Sequence, residues 1–182
     1  MRIGGTTWDP ANSGAGHTLS NDNLTVTSTG ASAITRTVDG HNSGKFFYVV
    51  KTIDADATIG CCTASADLDN WLSSDAFGMG ALYNGQIVGG QSSVVGDSFQ
   101  YGTHDLMVAI DLDNRMFWFK VLTPEEGYWN GDPTADPATN TGGVAFNASM
   151  GPGTTVYCAV TAGSSGSYVR ANFGAPPGFG NL

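Results

Sequence analysis

Positive charge is scarce in this 182-residue sequence: 7 lysines and arginines stand against 16 acidic residues, for a formal net charge of −9. No basic stripe offsets that balance, so a phosphate backbone would be repelled and nucleic acid is not expected as a partner. Anionic membrane surfaces are disfavoured for the same reason, and no apolar run reaches the length of a membrane span, so no membrane insertion is expected. The opening Met1-Arg-Ile-Gly-Gly-Thr-Thr-Trp8 lacks the apolar stretch of a secretory signal, so no signal peptide is expected. Cysteine is limited to three residues. On a strand, the adjacent Cys61 and Cys62 would point to opposite faces, leaving Cys158 as the one other partner, which is poor material for a disulfide framework. All three are therefore expected to be reduced, small and apolar, as in a reducing compartment.

Helical periodicity is missing as well. No stretch keeps a 3.6-residue apolar repeat for three turns, while 26 glycines, with Asn, Ser, Thr and Asp, cut the chain into short extended segments. That pattern predicts an all-β fold, and the length fits a single domain over residues 1–182. The clearest hairpin joins Leu106–Asp113 to Met116–Leu122 across Asp113-Asn114-Arg115. Leu106, Val108, Ile110 and Leu112 share one face of its first arm, and Met107, Ala109 and Asp111 the other. In the second arm Phe117, Phe119 and Val121 oppose Met116, Trp118 and Lys120. Apolar groups on both faces predict a central position, with one face toward an opposing sheet and the other partly covered. Phe46–Thr52 has the same two-faced character. Residues 123–143, rich in Pro and Gly, read instead as a long loop of the kind that often carries function.

Catalytic patterns are thin. Glycoside hydrolysis needs two carboxyl groups at a set separation, yet Glu125 and Glu126 are the sole glutamates and are sequence neighbours. The one same-face acidic pair on a predicted strand, Asp111 with Asp113, is read more simply as turn chemistry. His17, His41 and His104 are scattered and read as surface loop residues, and the Asp67-x-Asp69-Asn70 cluster lacks the downstream Glu of a calcium loop. No metal, cofactor or catalytic residue is predicted. Five polar-loop positions remain as candidate ligand contacts: Trp71, Tyr128, Trp129, Asn130 and Asp132. A large aromatic beside Asn and Asp can stack on a sugar ring or anchor a protein interface. The competing expectation is that Trp129 folds back to cap the sandwich end.

Several phrases in order resemble those of SPRY-type domains: Trp8-Asp9-Pro10, the Leu19–Thr27 hairpin, Ser43-Gly-Lys-Phe-Phe-Tyr48, Asp111-Leu-Asp-Asn-Arg-Met-Phe-Trp-Phe119 and Asn172-Phe173-Gly174. Val49-Val50 departs from the family's usual Glu after the Tyr, and Cys61-Cys62 sits in its small-apolar strand. The resemblance implies a two-sheet antiparallel β-sandwich of the concanavalin-like jelly-roll kind, binding through loops and without catalytic activity. Tyr128-Trp-Asn-Gly-Asp-Pro133 with Asp136–Gly143 is similar to a version in bacterial and bacteriophage proteins. This implies a virion protein, of tail or capsid surface, assembled in the bacterial cytoplasm and used as a homo-oligomer or in many copies. Its expected partner is a host-surface glycan or another virion protein. A polysaccharide-degrading enzyme on the related glucanase sandwich and an intracellular peptide-binding adaptor are the alternatives.

Overall fold

The computed structural model describes residues 6–52, 57–90, 105–122 and 127–173. Short alternating runs bury one face by pairing as strands. In chain order the strands are β1 (Trp8–Ser13), β2 (His17–Ser20), β3 (Thr25–Ser28), β4 (Ala33–His41), β5 (Lys45–Thr52), β6 (Ala57–Thr63), β7 (Gly78–Leu82), β8 (Ile87–Val88), β9 (Asp105–Asp111), β10 (Met116–Val121), β11 (Val144–Ala145), β12 (Val156–Ala162) and β13 (Tyr168–Asn172). They form one sheet in the order β1-β4-β12-β6-β7-β8 and a second in the order β11-β10-β9-β5-β13-β3-β2. Every pairing among them is antiparallel. This is the all-β fold that the sequence pattern predicts, in the two-sheet sandwich that the resemblance implies.

The core lies between the sheets. Leu106, Val108, Ile110, Leu112, Phe117, Phe119 and Val121 from the predicted hairpin meet Ile59, Cys61, Met79, Val156 and Val160 of the facing sheet. Tyr48 bridges the two layers: fully buried on β5, it donates its hydroxyl hydrogen bond to the Gly60 carbonyl on β6. Trp8, packed edge-on against Phe173 at 5.0 Å, closes the same core and donates its indole N–H to the Leu24 carbonyl.

The cysteines divide as the strand geometry requires. Cys61 faces the inter-sheet core, Cys62 the outer side of the six-stranded sheet, and all three thiols are free. Burial pushes the Cys62 and Cys158 thiols up to about 12, which keeps them protonated and unreactive.

One expectation is corrected here. His17 is not a surface loop residue: it lies buried on β2, with Nδ1 2.8 Å from Thr35 Oγ1 and Nε2 2.9 Å from the Ala162 carbonyl oxygen of the opposing sheet. Its Gly and Thr neighbours disguise a strand that faces the core. His41 is exposed as expected, at the end of β4, and stacks on Phe46 at 4.0 Å. Asp111 and Asp113 take the turn role expected of them, and Asp111 is 1% exposed although it ends a strand. Its carboxylate accepts from the backbone N–H of Asp113 and Asn114 and from the Asn114 side chain, and lies 3.3 Å from Lys45 Nζ. Burial alone would raise its pKa. The Asn114 hydrogen bonds and the Lys45 charge outweigh that and hold the carboxyl below the usual range. Asp113 in turn accepts from Gly44 N–H, so both acids serve the turn.

Arg115, at φ 55°, completes this end of the hairpin. Its guanidinium donates to the carbonyls of Asn42, Met150 and Thr154, tying three connections together.

Candidate functional site

Both sheets have a covered outer face. Over the six-stranded sheet, Ala66, Leu68, Leu72 and Phe77 pack on Ile34, Cys62 and Ala159. Over the seven-stranded sheet, Ala135 and Trp129 of the 127–143 loop pack on Ala109, Met116, Trp118 and Phe47. The outward residues of the hairpin are thus covered by the loop that follows them.

That loop is held to the sheet by a few specific contacts. Asn130 sits at φ 50°, a left-handed conformation that asparagine tolerates better than most residues. It is only 3% exposed. Its Oδ1 accepts from the Phe119 backbone N–H at 2.9 Å, and its Nδ2 donates to the Gly142 carbonyl at 2.8 Å and the Phe117 carbonyl at 3.4 Å. Trp118, fully buried, donates its indole N–H to the Thr141 carbonyl. Gly143 lies so close to that ring that an added Cβ would come within 2.5 Å of it, so this position must be glycine. Asp132 accepts from the backbone N–H and hydroxyl of Thr134, which stabilises its charged form and lowers its pKa. Asp136 and Thr141 exchange backbone hydrogen bonds at 3.0 Å across the loop's neck.

A groove of about 130 Å³ remains between loop and sheet. Phe47, Met107, Ala109, Trp118, Trp129 and Pro137 supply most of its wall, with Lys45, Asp111 and Asp136 at one end. Lys45 there is engaged by Asp111 and by the Pro137 and Ala138 carbonyls. Trp129 is half-buried on this face, with the Lys120 ammonium 5.8 Å from its ring centre. It therefore covers the outer side of a sheet instead of capping the sandwich end. The reason is the clamp at Asn130 on Phe117 and Phe119, which draws the preceding residue onto the outer face of β10.

The five sequence candidates do not form one cluster. Tyr128, Trp129, Asn130 and Asp132 share the loop: Tyr128 is 57% exposed, Trp129 walls the groove, Asp132 is exposed and Asn130 is turned inward as the clamp. Trp71 belongs to the cover of the opposite sheet, where its carbonyl accepts from the Ser74 N–H and hydroxyl. Sequence reasoning passed over Phe47 and Met107 as groove residues, although the two-faced pattern of their strands was the available signal. Glu125, Glu126, His104 and Gly174 lie outside the described residues. A second cavity of about 170 Å³ opens between the sheets, bordered by Asp39, His41, Phe46, Tyr157 and Phe173.

This arrangement of two sheets is that of SPRY domains. The SPRY domain of human HERC1 matches with a TM-score of 0.67 at 16% identity, covering 90% of this chain and 96% of that one. The PSpry domain of TRIM65 matches at 0.63 and 14%, over 92% and 91%. Stonustoxin matches at 0.64 and 14%, over 92% of this chain and 27% of that one. No protein-family model and no curated protein matches the sequence. The chain therefore has a SPRY-type β-sandwich fold.

Proposed function

We propose that this chain is a non-enzymatic protein-binding module whose working surface is the groove beneath the 127–143 loop. The observation that carries the reading is Trp129. It is a large aromatic left half-exposed at the rim of an apolar groove, on a loop whose backbone is fixed by the buried Asn130 clamp. A rigid aromatic anchor beside a preformed pocket is what an interface hot spot requires, because little side-chain freedom is lost on binding. The SPRY-type fold supports the reading by analogy alone.

The setting we favour is a bacteriophage virion, with the module on a tail or capsid surface, present in many copies, and contacting a neighbouring virion protein or a host-surface glycan. The loop's similarity to bacterial and phage versions motivates that choice. Against hydrolysis, Asp111, the best strand-borne acid in the sequence, is buried and committed to its turn.

The test combines binding and hydrolysis assays. Wild type and Trp129→Ala are measured against a bacterial glycan panel and against the structural proteins of the particle. Loss of ~10-fold or more in affinity in the variant, with its melting transition retained, is the expected result. Unchanged binding by Trp129→Ala would remove the groove from the interface. Glycan cleavage by the wild type that Asp111→Asn abolishes, in a variant still folded, would overturn the non-enzymatic reading.

A further inference from the structure

The described cations of this acidic chain are not spread over its surface. Of the described lysines and arginines, Arg36 and Arg115 are buried, and the other four, Lys45, Lys51, Lys120 and Arg170, all lie on the outer face of the seven-stranded sheet. Strand alternation fixes this, because their neighbours Phe46, Val50, Phe119, Val121, Val169 and Ala171 point into the core. Lys45 is engaged by Asp111 at one end of the face. At the other end the register sets Arg170 directly across from Lys51, and Lys51 across from Asp105. Lys120 pairs with Met107, one pleat away from Asp105. Among the described residues, three cations therefore lie at the end of the sheet that holds Asp105, in a molecule of net charge −9.

Placing Arg170 and Lys51 directly opposite each other costs stability, since like charges in that relation repel. The Lys51 side chain is 50% exposed and its contact with Asp105 is long, at 3.9 Å. Arg170 is exposed as well. A local arrangement that disfavours folding is expected where a site is built for a partner.

We propose that this basic end binds an acidic peptide segment of a partner protein, whose adjoining apolar side chain enters the Trp129 groove. The inference rests on the binding reading above and adds the partner's chemistry. Carboxylates of the segment lie against Lys51 and Arg170, and relieve the cross-strand repulsion. Val49 and Met107 separate these cations from the groove, so the acidic and apolar parts are adjacent in the ligand. A nucleic acid is a poorer fit: three cations beside an apolar wall offer few phosphate contacts, and the remaining surface is acidic. The chain's own acids outside the described residues, Asp54, Asp56, Glu125 and Glu126, follow β5 and β10 in sequence and are the competing occupants.

The test is selection of displayed random peptides of about twelve residues on the intact protein, followed by anisotropy titration of the labelled winners at low and moderate salt. Enriched peptides are expected to carry Asp or Glu beside an aromatic or large aliphatic residue. Their affinity should fall ~10-fold or more in Lys51→Glu/Arg170→Glu, and it should weaken with salt. Lys51→Gln/Arg170→Gln should give a smaller loss with no fall in melting temperature, because repulsion is removed. Neutral or basic winners, no enrichment, or indifference to charge reversal overturns the proposal. Peptides weakened by charge reversal and untouched by Trp129→Ala would sink the groove reading and leave acidic recognition standing. A ~10-fold gain of affinity in Glu125→Gln/Glu126→Gln would make the chain's own loop the occupant and overturn the proposal.

Discussion

His17 shows how one side chain can make the sandwich sensitive to pH. It spans the two layers, from β2 to Thr35 on β4 and Ala162 on β12. Burial lowers its pKa below the ordinary value of 6.5, against the smaller opposing effect of the Ala162 backbone. Above pH 6.5 the ring is neutral in both folded and unfolded chains, and stability is independent of its titration. As pH falls below 6.5 the unfolded chain takes up a proton that the folded one resists. Stability then declines, by at most about 1.4 kcal/mol per pH unit, until the folded pKa is reached and the decline ends. Urea unfolding at pH 7.5 and pH 5.5 should therefore show a lower midpoint at the acid pH. In His17→Gln the midpoint should be lower at both values and the difference between them mostly lost. An equal pH dependence in the two proteins would assign it to other groups.

At the scale of elements, the hairpin β9–β10 and the loop after it form one unit, and their legibility in the sequence differs. The hairpin could be read because each arm alternates strictly, and apolar groups on both faces announced one face toward an opposing sheet and the other partly covered. The strand around Phe46 was readable in the same way, whereas the closing Asn172-Phe173-Gly174 was legible only through the family resemblance. What covers the outer face was not readable, because it depends on Asn130 reaching the Phe119 N–H and on Gly143 admitting the Trp118 ring. Those are contacts across the fold with no periodic signature. Trp71 and Trp129 looked equivalent as aromatics in polar loops, and only the sheet order places them on opposite sides. The Asn130 clamp gives a direct prediction. Asn130→Ala leaves the buried Phe119 N–H without its acceptor and should destabilise the domain by about 2–3 kcal/mol. Chemical denaturation measures that cost. Limited proteolysis should cut the 127–143 loop faster than in wild type, whereas Trp129→Ala, with the clamp intact, should keep the wild-type cleavage pattern. Equal protection in Asn130→Ala would mean that the loop is held elsewhere.

For the whole molecule, the order of strands matters more than the strength of any one. The last two strands enter the middle of both sheets: β12 lies between β4 and β6, and β13 lies between β5 and β3. Until β13 is in place, the β2–β3 hairpin has no sheet partner linking it to β5, β9 and β10. Val169 and Ala171 on β13 are buried against that core, and Trp8 packs on Phe173 just beyond the strand. A chain ending at residue 166 would expose Val26 and Val50 together with unpaired backbone on β3 and β5. Those losses are large beside the ~5–15 kcal/mol by which domains of this kind are stable. Closure of this sort depends on contacts far apart in sequence, which also predicts slow folding, in the ms–s range. We expect the shortened chain to lack a cooperative urea transition and to show red-shifted tryptophan emission, as Trp8 loses its enclosure. A sharp transition near the full-length midpoint would show instead that the two parts of the seven-stranded sheet hold together without the strand that joins them.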